Sequence, residues 1–319
     1  MQYLECSHIN VRPHSAGVVA VALCLPTLMA SRAPLVADNL TEAPINKPVT
    51  AQDLSGVSTQ PRAIGAARVV AGPSGLRGLR QSGAMRVLFP RQTPGWPQAV
   101  LLNTAGGVTG GDRFTTEVEA QTGARLTVTT QAAERIYRAQ PGETGRVDTQ
   151  LIVGAGARLD WLPQETILFE RSDLRRRLRV DMAQDATLLL VEPLVFGRRA
   201  MGEVLRDIRL LDRIEIRRGG ALAFTDATRV TGDVPGLMQG QATGAGATAL
   251  ATVVFAAPGA EALLDSVRDL LPDTGGASLI RPDLLFIRLL AEDSFALRAS
   301  LIPIITLLHR AELPRTWML

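Results

Sequence analysis

A chain of 319 residues with 46% apolar side chains is long enough to bury one large core or two ordinary ones. Its formal charge is only +3, and Lys47 is the single lysine among 34 basic residues. Arginine without lysine favours fixed, planar pairing with carboxylates, and no basic run is interleaved with aromatics, which argues against nucleic acid as a partner.

The two cysteines, Cys6 and Cys24, precede residue 30, and His8, His14 and His309 lie near the two ends. That pattern offers no disulfide framework, no zinc-ligand spacing and no histidine-based catalytic dyad. The stretch Ala16–Ala30 is apolar between Arg12 and Arg32, like the apolar region of an export signal, but it is interrupted by Pro26 and too short for a membrane span. Residues 31–61 are rich in Pro, Ala and Thr without periodicity and read as linker. An export signal, a tethering extension and an upstream start codon all remain open for 1–61, set apart here from a single body over 62–319.

From Arg62 onward, short alternating or β-branched runs bounded by Gly, Pro and Asp predict strands. They fall at 123–131, 145–153, 156–163, 174–182, 186–196, 205–218, 221–230 and 247–255. Within 174–182, alternation sets Arg175, Arg177 and Arg179 opposite Leu174, Leu178 and Val180, giving a solvated face or a surface for an acidic partner. Helical spacing predicts two C-terminal helices, 261–271 and 293–313, the second kinked at Pro303. A small residue, a spacer and Leu recur at Ala124–Leu126, Ala157–Leu159, Ala186–Leu188 and Gly220–Leu222. A period near 30 residues predicts a mainly β fold, with stacked strands in a β-helical or layered, sandwich-like body.

The run NTAGGVTGGD, Asn103–Asp112, holds four glycines in six residues and ends on an acid. It lacks the lysine and following helix of a phosphate loop, and an aspartate there would repel phosphate. A tight turn that holds one carboxylate in place is the better reading. Glu192 in LLLVEPLVF and Asp226 in ALAFTDATRV are acids embedded in apolar strands. A buried carboxylate is costly unless paired, hydrated or used; Arg198 or Arg199 is the nearby partner for Glu192, and Arg229 for Asp226.

Six strings, in this order, resemble the UreD (UreH) family of urease accessory proteins. They are MRVLFPR (85–91), NTAGGVTGGD, TTQAAERIYR (129–138), LDWLPQETILF (159–169), LLVEPLVFGRRAMGE (189–203) and LPRTW (313–317). The resemblance covers about 62–319, leaves 1–61 without a counterpart, and so favours the upstream start codon. It implies a cytoplasmic maturation scaffold, not an enzyme, acting with UreF, the GTPase UreG and apo-urease, as a possible dimer within their complex. No cofactor is stably bound; nickel is in transit along an internal, water-filled path lined by Asp112, Glu192 and Asp226. Weak oxygen ligands that release an ion suit such a path. Arg198 and Glu203 are expected as a loop ion pair with a role at a partner surface, and Leu301 and Ile304 as a UreF contact or as core. The rival readings are a carboxylate-based hydrolase using Asp112 and Glu192, and an exported β-rich binding protein.

Overall fold

A computed structural model describes residues 60–90 and 97–318. The segment set apart at 1–61, with Cys6, Cys24, His8, His14 and Lys47, lies almost wholly outside the described residues.

The strands are β1 (Ile64–Gly72), β2 (Gly75–Gly83), β3 (Met85–Leu88), β4 (Gln98–Asn103), β5 (Arg113–Ala120), β6 (Arg125–Thr130), β7 (Glu134–Ile136), β8 (Gly145–Val153) and β9 (Arg158–Leu162). They continue with β10 (Thr166–Leu168), β11 (Asp173–Met182), β12 (Thr187–Phe196), β13 (Ile208–Arg218) and β14 (Ala221–Gly232). After a one-turn helix α1 (Val234–Met238) come β15 (Ala249–Ala256), the short α2 (Leu264–Arg268), β16 (Gly275–Arg281), β17 (Leu284–Ala291) and α3 (Ser294–His309).

The chain winds as a coil. Its first sheet has the order β14-β13-β11-β8-β5-β1-β2, and the second runs β16-β17-β15-β12-β9-β6-β4-β3, with β7 and β10 extending it beside β12. Strands β5, β8, β11 and β13 are parallel neighbours in the first sheet, and β6, β9 and β12 in the second, so each circuit crosses both sheets. Antiparallel pairs then close the ends, two of them the hairpins β1–β2 and β13–β14.

The recurring small-x-Leu segments account for that winding. Ala124, Ala157 and Ala186 sit in equivalent turns, each amide donating to the carbonyl three residues back (Gln121, Gly154 and Ala183). Leu126, Leu159 and Leu188 follow in register across three stacked strands, all buried. The fourth segment does not belong to the stack: Leu222 begins an antiparallel strand after the Gly219–Gly220 turn and is half exposed.

Alternation divides the second sheet between two cores. On β12, Leu188, Leu190, Leu194 and Phe196 face the first sheet, whereas Leu189, Val191 and Val195 face α3. The helix starts at Asp293, whose carboxylate accepts from the Ala296 amide at 2.8 Å, and it runs through exposed Pro303. Its C-terminal end is tied to β9 where His309 Nδ1 meets Asp160 Oδ2 at 2.6 Å. The 261–271 helix is a 3-10 turn followed by a single α-turn.

The stacked leucines carry a test. Leu159→Ala, at a fully buried position, is expected to cost about 2–5 kcal/mol in urea unfolding, and Leu222→Ala within about 0.5 kcal/mol.

Candidate functional site

The site begins with a mismatch in strand length. Between the register points Leu190↔Trp161 and Leu194↔Thr166, β12 spends three residues, Val191–Pro193, while its neighbour spends four, Leu162–Glu165. Between Leu162↔Thr129 and Thr166↔Glu134, the third coil again spends one more, Thr130–Ala133 against Pro163–Glu165. The wall therefore bows further with each circuit, as a β-bulge does. β12 stays continuous while β9/β10 and β6/β7 break.

Behind these breaks, between the two sheets, lies a cavity of about 360 Å³. Its apolar lining includes Phe114, Val147, Leu174 and Leu178; its polar lining includes Thr116, Thr149, Gln164, Glu134, Arg176 and Glu192. Gln131 and Ala132, in the wider break, are exposed at its rim.

Glu192 points inward between Leu190 and Leu194 and is 5% exposed. Its Oε1 accepts from Trp161 Nε1 at 2.7 Å. Its Oε2 lies 2.5 Å from Arg176 Nη1, an ionic contact without hydrogen-bond alignment. Arg176 reaches across from the first sheet. Its Nε and Nη2 grip Asp212 at 2.9 and 2.6 Å, and Nη1 also donates to Thr166 Oγ1 at 2.9 Å. Burial works against the guanidinium charge, but Asp212 and Glu192 together outweigh it and raise its pKa. Burial raises the Glu192 pKa and Asp212 adds to the rise, against Arg176 and the Trp161 hydrogen bond. One cation is thus shared by two inward acids, with Asp212 holding the better geometry.

Alternation carries the signal for Arg176 and Asp212, which the sequence reading passed over. Arg176 falls on the same face of β11 as Leu174 and Leu178, and Asp212 on the same face of β13 as Leu210 and Ile214. Asp226 also faces inward, on β14, and pairs with Arg288 Nη2 at 2.7 Å, not with Arg229. It does not line the cavity; Arg288 lies on β17, joined to Glu192 across the second sheet through Thr252.

Asp112 has a different job. It is buried, but both carboxylate oxygens are taken by main-chain amides, Ala63 at 2.7 Å and Thr109 at 2.8 Å, and it does not line the cavity. It clamps the start of β1 to the glycine loop. The loop lies tight against the next coil: Gly107 has φ 156°, and a Cβ there would come within 2.3 Å of the Tyr137 ring.

The expected surface residues are likewise placed by packing. Leu301 and Ile304 are fully buried against the second sheet, so they serve the core and not a partner surface. Arg198 does not reach Glu192. It grips Glu203 at 2.9 and 3.0 Å, lowering that carboxyl's pKa, and lies 4.1 Å over the Phe169 ring. The terminal LPRTW string seals the outside of the narrower break. Trp317 Nε1 donates to the Leu162 carbonyl at 3.0 Å, and Arg298 bridges Gln164, Glu165 and the Trp317 carbonyl at 2.8, 2.8 and 3.1 Å.

Among the described residues no three His, Cys, Asp or Glu side chains converge as a metal-ligand set, and no helix is long and apolar enough to cross a membrane.

The described body is thus a two-sheet coil with an arginine-paired acid at the cavity between its sheets and with Asp112 spent on main-chain amides. Residues 63–318 match the profile of the family described as "UreD urease accessory protein". Three similar proteins bear the name urease accessory protein UreD. The one from Ruegeria pomeroyi is 54% identical over 244 residues, 76% of this chain and 95% of the relative. That from Roseobacter denitrificans is 50% identical over 264 residues, 82% and 96%, and that from Rhizobium rhizogenes 45% identical over 273 residues, 83% and 99%. The chain belongs to the UreD family of urease accessory proteins; its relatives are named as accessory factors and not as enzymes.

Two outcomes test this geometry. Asp112→Ala strands two part-buried amide donors and is expected to cost about 1–3 kcal/mol in urea unfolding. Glu134 is pushed up from 4.5 to about 7, chiefly by burial, against a hydrogen bond from Asn103. Its folded pKa lies above the unfolded one, so between those values the folded state keeps a proton that the unfolded chain has lost. Stability therefore falls as pH rises through that window, and the loss is complete above it. Glu134→Gln is expected to remove about 1–2 kcal/mol of that decline, read from urea midpoints near pH 5 and pH 8.

Proposed function

We propose that this chain is a cytoplasmic scaffold of urease maturation which, with UreF and the GTPase UreG, passes nickel to apo-urease through the interior of its coil. No cofactor is resident in this reading, and nickel is cargo. The observation that carries it is Glu192: a carboxylate at an internal cavity whose Oε2 has no aligned hydrogen-bond donor. The donors there are oxygens, which hold a borderline divalent ion weakly enough to release it. Asp226, inward and paired with Arg288, is a second acid for the same route. Asp112 drops out of the route because its oxygens are committed to the glycine loop. The same commitment removes the acid–base pair that a hydrolase would need.

Partner surfaces follow from what packing leaves free. Leu301 and Ile304 being core, the outer side of α3, where Phe295 is 82% exposed, is the surface offered to UreF. Arg198 and Glu203, already paired with each other, shape a loop beside it.

The test is co-expression with urease, UreF and UreG. Glu192→Gln is expected to leave the complex intact by co-purification and to lower the nickel content of urease several-fold. Full nickel loading would remove Glu192 from the route.

A further inference from the structure

The cavity acid is not simply an open ligand. Arg176 holds four contacts at once, and they are unequal. Two aligned bonds at 2.9 and 2.6 Å tie it to Asp212, one at 2.9 Å to Thr166, and only an unaligned ionic contact at 2.5 Å reaches Glu192. With one guanidinium between two carboxylates, the cluster carries a net charge of about −1 toward the cavity in its ionised form. Gln164 also lines the cavity at 6% exposure; its Oε1 accepts from Arg298, and its Nε2 has no partner. A donor buried without a partner is costly, and a water oxygen in the cavity would satisfy it.

We propose that Arg176 is a built-in competitor for the travelling cation at Glu192, and that Asp212 is the positioning residue that sets how readily it yields. This inference rests on the passage reading given above. A divalent ion reaching Glu192 Oε2 meets a resident guanidinium of like charge, which lowers its affinity. The fork to Asp212 lets Arg176 give up its contact to Glu192 without losing its counter-charge. When the ion leaves, the same guanidinium recovers Oε2, so Glu192 is never left as an unpaired buried anion. Weak, reversible capture then follows from a side chain already in place, with no separate gate.

The test is equilibrium dialysis of nickel chloride against the purified full-length chain, with metal analysis, for Arg176→Gln, Asp212→Asn and the double variant Arg176→Gln/Asp212→Asn. Each is measured with and without Glu192→Gln, so that only the Glu192-dependent share of binding is read, and folding is checked by thermal melting. That share is expected to tighten about tenfold or more in Arg176→Gln, a modest part of a unit charge removed at contact distance. It is expected to tighten also in the double variant, which has the same net charge as the native cluster but no guanidinium on Oε2. It is expected to weaken in Asp212→Asn, where Arg176 turns fully to Glu192. A Glu192-dependent share that is present but unchanged across all three overturns the role of Arg176 and leaves the passage reading standing. No Glu192-dependent share in any folded variant overturns the passage reading, and this inference with it. Should Arg176→Gln fail to fold, the double variant decides.

Discussion

Two inward acids on opposite sheets share one arginine, and the interior of this protein is organised around that shortage. A guanidinium can fork only one carboxylate well. Here Asp212 on β13 takes the fork and Glu192 on β12 takes the remaining nitrogen. The arrangement needs both sheets at a fixed separation, because Arg176 leaves one and touches the other. It also needs room beside Glu192, which the bowed wall supplies. Filling that space with apolar side chains would remove the cavity, and adding a second cation would neutralise it.

The bowing has a simple origin. Parallel stacked strands demand matched register, yet between the same two register levels successive coils spend three, four and then five residues: Val191–Pro193, Leu162–Glu165 and Thr129–Ala133. The surplus is pushed out of the sheet. Its outer side is then closed by α3 and the terminal segment, through Arg298 and Trp317, so the narrower break is sealed while the wider one keeps exposed residues at its rim. The C-terminal helix is thus part of the site's wall as well as a second core.

Arginine in place of lysine suits this interior. Five inward or seam carboxylates each meet a guanidinium: Glu192 and Asp212 at Arg176, Asp226 at Arg288, Glu165 at Arg298 and Asp160 at Arg158. A planar, multi-donor cation can satisfy a carboxylate and a carbonyl at the same time, as Arg298 and Arg158 do. A lysine offers a single point charge on a flexible stem and could not bridge in this way.

Much of this was legible in the residues. The small-x-Leu period announced the stacked coil because identical turns need identical small corners, and three of its four members stack in register. Family membership followed from the order of the strings. The edge strand β2 was not read, since GLRGLRQSG is exposed and lacks apolar alternation; β1, β16 and β17 were not read either, although β1 and β17 are largely buried. Alternation also carried Arg176 and Asp212, but an arginine among four in five residues draws the eye to the solvent face. What the chain determined by itself is its periodicity: which residues face inward, and that the body is a coil. Which inward acid meets which cation was decided only when distant strands were brought together. Asp226 to Arg288 spans 62 positions and Arg298 to Glu165 spans 133, and no local pattern encodes a contact between residues that share no strand, turn or helix.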